Sequence, residues 1–156
     1  ADDTHQAIPF GCANFGDSSN PPAFGTGTDP ATSFTTAEGN ATRASDIVPC
    51  LWYVHDNISI DAVKSIEGAD TATGDTTRMH LMSFDLTSGS TSALSNGTVL
   101  ANNSDVTNAG SEQAYLSSWT VSSAAVSSGK VILAFFKSDS INSDYSLSVQ
   151  IKYHLT

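Results

Sequence analysis

The stretch Tyr145–Leu155, with the sequence YSLSVQIKYHL, decides the fold. Apolar and polar residues alternate in it without a break over eleven positions. A helix would scatter these apolar side chains around its circumference, whereas a strand places them all on one face. The stretch therefore predicts a long β-strand with one buried face and one polar face.

A second stretch, Val131–Phe136 (VILAFF), lies just upstream and is apolar at every position. Turn-forming residues bound it, and β-branched and aromatic residues dominate it, which favours a central strand covered on both faces. The polar connection Ser138–Asp144 predicts a hairpin between this strand and the last one.

Further strands are predicted upstream, two of them with irregularities. Arg78–Leu86 and Gln113–Val121 have strand character. Pro49, within the apolar run Asp46–Val54, indicates an edge strand or a bulge because proline has no N–H to donate. The alternation that begins at Ile58 slips at Val63, as it does at a β-bulge.

Seven or eight such strands separated by turn clusters predict an all-β fold with almost no helix. We expect an antiparallel β-sandwich of jelly-roll type, forming a single domain over residues 1–156. Residues 1–45 would form a strand (Ala7–Phe15) and a long loop or arm (Gly16–Asn40), and residues 46–156 the main body. The predicted core comprises Leu81 or Met82, Phe84, Leu133, Phe135, Leu147, Val149 and Ile151.

Composition excludes several functional classes. Six basic residues face sixteen acidic ones, giving a formal net charge of -10, and 24 Ser and 17 Thr supply much of the polar surface. Such a chain is poorly suited to nucleic acid or to an anionic membrane, and it contains no apolar run long enough for a transmembrane helix. Cys12 and Cys50 fit two buried thiols or one disulfide, and the sequence leaves both open.

No arrangement of residues predicts catalysis. A nucleophile elbow, a glycine-rich phosphate loop and a zinc-protease motif are all absent from the sequence, and the four histidines are dispersed. We therefore expect a protein that is not an enzyme and that needs no cofactor.

Four aspartates flank turns in pairs, Asp70 with Asp75 and Asp139 with Asp144. They fit either solvated turn formers, which we favour, or ligands for Ca²⁺, which takes six to eight oxygen atoms.

Three Ser-, Thr- and Asn-rich loops are candidate binding elements: Gly68–Thr76, Thr87–Thr98 and Ala101–Gly110. We expect them at one end of the fold, where they would either contact hydrated glycans or only keep the particle soluble. The candidate binding residues are Trp52, Tyr53, Tyr115 and Trp119 as stacking aromatics, and Asn96, Asn102 and Asn103 as hydrogen-bonding groups. For the aromatics, a place in the core is the alternative that we favour.

Three segments resemble virion-associated proteins of marine tailed bacteriophages, including those that infect cyanobacteria. They are ATGDTTRMHLMSFDL (72–86), LSNGTVLANNSDVTNAGSEQAY (94–115) and SDSINSDYSLSVQIKYHL (138–155). The resemblance covers residues 45–156 and brings no active-site residues with it. It implies a jelly-roll-like component of the virion, such as a trimeric fibre head or a decoration of the capsid or neck.

Two functional hypotheses follow from these observations. The first is a homotrimeric virion protein that contacts other virion proteins and a host-surface glycan. The doubly apolar stretch Val131–Phe136 favours a trimer, because it exceeds what one small sandwich needs to cover. The second is a monomeric, secreted carbohydrate-binding module that uses Ca²⁺ and exposed aromatic residues.

Overall fold

The computed structural model describes the backbone of residues 5–6, 23–24, 42–43, 47–70, 73–89, 94–110, 112–138 and 144–156, and most side chains from residue 52 onward. Within these ranges the chain forms thirteen β-strands and no helix, so it has no helix that could span a membrane. The prediction of an all-β fold is confirmed.

Seven strands are long and carry most of the pairing. They are β4 (Ile47–Tyr53), β5 (Ile58–Asp70), β6 (Thr76–Asp85), β7 (Ser95–Asn102), β9 (Glu112–Ser118), β12 (Lys130–Ser138) and β13 (Asp144–Leu155). The others have two residues each: β1 (His5–Gln6), β2 (Ala23–Phe24), β3 (Thr42–Arg43), β8 (Val106–Thr107), β10 (Thr120–Val121) and β11 (Ala125–Val126).

The strands form two main antiparallel sheets. Sheet I has the order β1-β13-β5, with β9 and β11 both on the other edge of β5. Sheet II has the order β10-β7-β6-β12-β4, with β8 paired to one end of β6. Strands β2 and β3 pair with each other.

One hydrophobic cluster joins the two sheets. Sheet I contributes Ile60, Val63, Val149 and Ile151, and sheet II contributes Met79, Leu81, Ile132 and Ala134. All eight are at most 3% exposed. The inner faces of the two sheets therefore share a single core.

The last strand has the two faces that its alternation predicts. Val149, Ile151 and Tyr153 are buried, whereas Ser146 and Ser148 are exposed. Leu147, placed in the core by the sequence, is only partly buried. The alternation thus predicts the orientation of the strand correctly, with its burial decreasing toward one end.

Both predicted bulges are present. On β5, Lys152 of β13 pairs with Ala62 and Tyr153 pairs with Ile60, so Asp61 is the extra residue. On β4, which is an edge strand of sheet II, the register shifts across Pro49. A bulge at this edge accommodates a residue that cannot donate to the ladder.

Strand β12 is covered on both faces, as predicted. Ile132 and Ala134 face the shared core, while Leu133 and Phe135 join Phe84 in a second cluster on the opposite face of sheet II. The Phe84 and Phe135 rings meet edge to face with centroids 6.1 Å apart. Because a single chain buries this face, the excess apolar surface that suggested a trimer is already covered.

The predicted hairpin between the last two long strands is wrong. β12 pairs with β6 and β4 in sheet II, whereas β13 pairs with β5 and β1 in sheet I. The connection between them therefore leads from one sheet to the other. The predicted strand Ala7–Phe15 lies outside the described residues, and so does the predicted loop Gly16–Asn40 apart from Ala23–Phe24.

The chain also changes sheets at Trp119, within the segment predicted as one strand from Gln113 to Val121. β9 before it belongs to sheet I, and β10 after it belongs to sheet II. The chain then returns to sheet I as β11, where Val126 is buried. The chain therefore crosses between the two sheets twice between Ser118 and Ala125.

Candidate binding surface

Two of the three candidate loops meet at one end of the fold. The backbone N–H of Gly74 donates to the carbonyl of Asn108 at 2.8 Å, and the N–H of Asn108 donates to the carbonyl of Asp75 at 2.9 Å. We call this region, Thr73–Asp75 with Asn103–Gly110, the Asp75–Asn108 end. Its two segments are held together by backbone hydrogen bonds, so they form one surface.

The third candidate loop lies at the opposite end. Strand β6 starts beside Asp75 and ends at Asp85, so the turn at Thr87–Gly89 is a full strand length away. Residues 95–98 of the predicted loop are part of β7. The expectation of three loops at one end is therefore wrong, since a hairpin places its turn opposite the loop that leads into it.

The side chain of Gln113 clamps the loop that precedes β9. Its Oε1 accepts from the backbone N–H groups of Ala109 at 3.0 Å and Gly110 at 2.8 Å, and its Nε2 donates to Oδ1 of Asn108. These bonds pair two backbone N–H groups of the turn that would otherwise have to bond to water. The loop surface is consequently built on fixed backbone positions.

Arg78, on β6, links this strand to the loop segment of the Asp75–Asn108 end. Its Nη1 donates to Oδ1 of Asp105 at 3.0 Å and its Nη2 donates to Oδ1 of Asn102 at 3.1 Å. The Asp105 side chain is half exposed, so solvent screens this ion pair and its contribution to stability is about 0–1 kcal/mol. Asn102, a candidate binding residue, is thus already engaged within the protein.

Glu67 is a buried polar residue that the sequence reasoning missed. It is 1% exposed, and its Oε2 accepts from the hydroxyl of Thr77 at 2.8 Å. Its Oε1 and Nδ2 of Asn108 are buried atoms without a protein partner among the described residues. The sequence does contain a signal, since Glu67 has the same parity on β5 as buried Val63 and Ser65.

Three of the four aspartates proposed for Ca²⁺, Asp70, Asp75 and Asp144, lie at or near the same end. Asp75 is half-buried, and its carbonyl accepts from Asn108 as described above. Asp70 and Asp144 are direct cross-strand neighbours in the register of β5 and β13. Asp139 and the side chains of Asp70 and Asp144 lie outside the described residues. Among the side chains that are described, no three acidic, histidine or cysteine residues form a metal-binding group.

The candidate aromatic residues separate into core and surface. Trp119 is 7% exposed and its Nε1 donates to the hydroxyl of Ser65 at 2.8 Å, so this candidate belongs to the core and is not an exposed stacking ring. Trp52 is half-buried, with its ring centroid 4.9 Å from that of Tyr153. Both tryptophans contribute to the core cluster because they lie where the two sheets meet.

Tyr53 and Tyr115 are the candidate aromatics that are exposed, at 48% and 46%. Tyr53 ends β4 beside the ring of His55, with the centroids 5.0 Å apart. Tyr115 pairs with Glu67 toward the Asp75–Asn108 end, whereas Tyr53 pairs with Val131 toward the other. The two rings therefore cannot form one stacking platform.

The remaining candidate asparagines have structural contacts. Asn103 is 1% exposed, and its Oδ1 accepts from the backbone N–H of Met79 at 2.7 Å. The interpretation of Asn103 as a surface binding group is therefore wrong. Asn96 is exposed at the opposite end, where its Nδ2 donates to Oδ2 of Asp85 at 2.6 Å.

Asp85 forms the main charged contact of that opposite end. Hydrogen bonds from Lys130 first, and then from Asn96, hold the pKa of the Asp85 carboxyl group below its ordinary value. His55 and Asp56 nearby are exposed, and the carbonyl of His55 accepts from the hydroxyl of Ser128. These contacts join loop ends and bring no nucleophile and base together.

Comparisons of the chain with protein-family models, curated proteins and solved structures found no match.

Proposed function

We propose that this protein is a non-enzymatic structural component of a tailed-phage virion, built as a jelly roll and exposed on the particle. One observation carries the proposal, namely the nesting of the strand pairs. β1 pairs with β13, β4 with β12, β5 with β9, and β6 with β7. In a jelly roll, the first strand pairs with the last, the second with the next to last, and so on inward. Viral capsid proteins and lectins use this fold.

The cross-links between these nested pairs support the same interpretation. β13 also pairs with β5, and β12 also pairs with β6, so each sheet contains two of the four nested pairs. In this pattern of eight strands, β9, β10 and β11 together correspond to one irregular strand. Strand β8 and the β2–β3 pair are additional to the pattern. The resemblance of residues 45–156 to phage virion proteins agrees with this architecture.

We propose that the Asp75–Asn108 end contacts the host surface. Its exposed residues include Thr73, Ser104, Asp105 and Thr107, which offer short hydrogen-bonding groups. The bonds from Gln113 to residues 108–110, the bond from Arg78 to Asp105 and the backbone bonds between the two segments fix this end, which limits the entropy lost on binding. Each contact would be weak, and many copies on a particle would multiply the affinity.

The first experiment locates the protein. Antibodies against this chain should label intact particles in electron micrographs of the virus. Labelling confined to soluble protein in the medium would refute the proposal and favour the secreted carbohydrate-binding module.

The second experiment tests which end binds. Ser104→Lys places a long cationic side chain on the Asp75–Asn108 end, and Ser88→Lys does the same at an exposed position of the opposite end. We expect particles with Ser104→Lys to adsorb to host cells several-fold more slowly, while particles with Ser88→Lys adsorb normally. Equal adsorption of both variants would exclude this end as the receptor-binding surface.

A further inference from the structure

Strand β9 has one edge that is unpaired among the described strands. One edge pairs with β5 over all seven residues without a register shift, and no described strand pairs with the other edge. The N–H of Trp119, which follows β9, donates to the carbonyl of Val63 on β5. Because backbone groups alternate in direction along a strand, the even-numbered residues of β9 direct their N–H and C=O groups to the free edge.

This edge lacks the usual protection against pairing. Natural edge strands carry lysine, proline or bulges that prevent another strand from adding. β9 has none of these, and its only charged residue is Glu112 at one end. Leu116 is 64% exposed, and its cross-strand partner Ile66 is 47% exposed. An apolar stripe therefore reaches the open edge of sheet I.

We propose that a second copy of this chain pairs with β9 through its own β9, antiparallel, about a two-fold axis at Tyr115. In this register all seven residues of β9 have a partner. Glu112 lies opposite Ser118 of the second copy, and Ala114 lies opposite Leu116 of the second copy. These are the even-numbered positions, so the hydrogen bonds form between the groups that face the free edge.

The same register matches side-chain size and charge. On the outer face, the large Leu116 meets the small Ala114 of the second copy, and the apolar stripe from Ile66 continues across the axis. Within each copy, Lys64 lies opposite Ser118 and Asp70 lies opposite Glu112. In the dimer, the Lys64–Ser118 pair of one copy therefore continues into the Glu112–Asp70 pair of the other. Ser118 lies between Lys64 and Glu112 of the second copy, so these opposite charges attract at longer range and do not form a direct ion pair.

The association has a distinctive dependence on salt. Each copy carries a net charge of -10, so the two repel one another at long range. Salt screens this repulsion more effectively than it weakens backbone hydrogen bonds or apolar contact. Dimerisation should therefore strengthen as salt is added, whereas capture of a basic partner at the same edge would weaken. The contact is small, which places it among weak interfaces.

Sedimentation equilibrium of the full chain over a concentration series tests the proposal. We expect a mass that rises toward twice 16.2 kDa, at lower concentrations in high salt than in low salt. Leu116→Lys should weaken the association at least tenfold. Leu155→Lys, at a residue that is 52% exposed on β13, is the matched control and should leave it unchanged.

A cross-linking experiment fixes the register. Residues facing each other across the axis form a non-hydrogen-bonded pair with Cα atoms about 4.5 Å apart, within the range of about 4.4–6.8 Å that disulfides span. Tyr115→Cys should therefore give a disulfide-linked dimer on mild oxidation. Ser117→Cys should not, because this register places it opposite Gln113 of the second copy.

Three results would overturn the proposal. They are a monomer at every concentration, a trimer that Leu116→Lys leaves intact, and equal cross-linking of the Tyr115→Cys and Ser117→Cys variants. None of them bears on whether the protein is a virion component, which the labelling experiment decides separately.

Discussion

Glu67 places a carboxyl group in the interior, where Thr77 supplies its hydrogen bond. Thr77→Val should lower the free energy of unfolding by about 1–3 kcal/mol, because the buried carboxyl oxygen loses its donor. Glu67→Gln should change it less, since the amide retains an oxygen that Thr77 can reach. Urea unfolding of both variants measures the difference. If Thr77→Val unfolds like the unmodified protein, the hydrogen bond contributes nothing to stability.

Single residues show where sequence reasoning fails most often. Asn103 and Trp119 look like surface binding groups in the sequence, and both are buried. Asn103 accepts from a backbone N–H of β6, and Trp119 lies where the chain changes sheets. These roles depend on contacts with residues 24 and 54 positions away in the chain, which local sequence does not contain.

Among the elements, β7 contains an irregularity at Asn96-Gly97. An Asn-Gly dipeptide is typical of a tight turn, but this one lies within the strand, where the register with β6 shifts between Ser83 and Asp85. Asn96 has a φ of 52°, in the left-handed region that asparagine tolerates better than β-branched residues do. The residue therefore suits a bulge as well as it suits a turn.

Replacing Asn96 tests this account of the strand. Asn96→Val should lower the free energy of unfolding by about 1–3 kcal/mol, because a β-branched residue is strained at this backbone conformation. Asn96→Gly should cost less, since glycine relieves the strain and loses only the contact with Asp85. Thr98→Val, at an exposed position of the same strand, serves as the control and should be nearly neutral. Equal losses for valine and glycine at residue 96 would show that backbone strain is not the cause.

The alternation of residues predicts faces and bulges better than it predicts partners. It predicts the buried side of β13 and the slip near Val63 correctly, whereas the irregularity near Pro49 is predicted from the missing N–H of proline. It does not reveal that β12 and β13 belong to different sheets, because a period of two is the same whichever strand lies alongside. The short polar connection suggested a hairpin, and the pairing of both strands with distant partners overrides it.

At the scale of the whole molecule, the two faces of sheet II explain the composition of its central strands. Sheet I buries mainly its inner face, so its strands alternate. The central strands β6 and β12 of sheet II are buried on both faces and read as continuous apolar runs. The sequence therefore predicts a doubly covered strand at Val131–Phe136, but it cannot distinguish cover from the same chain and cover from a neighbouring subunit.

Two substitutions on opposite faces of β6 test this distinction. Leu81 faces the core between the sheets and Phe84 faces the second cluster, and both are 0% exposed within one chain. Leu81→Ala and Phe84→Ala should each lower the free energy of unfolding by about 3–5 kcal/mol, because each leaves a cavity in close-packed surroundings. Leu86→Ala, at a residue 39% exposed just after β6, should cost far less.

The dependence on protein concentration distinguishes cover by the same chain from cover by a neighbouring subunit. If the chain itself covers Phe84, Phe84→Ala lowers the free energy of unfolding by the same amount at low and high protein concentration, as Leu81→Ala does. If a neighbouring subunit covered Phe84, its loss would appear only at concentrations where the chain associates, and it would couple to oligomeric mass. Denaturant unfolding at two concentrations that differ widely separates these cases. A concentration-dependent loss for Phe84→Ala alone would return this face of sheet II to the subunit interface that the sequence first suggested.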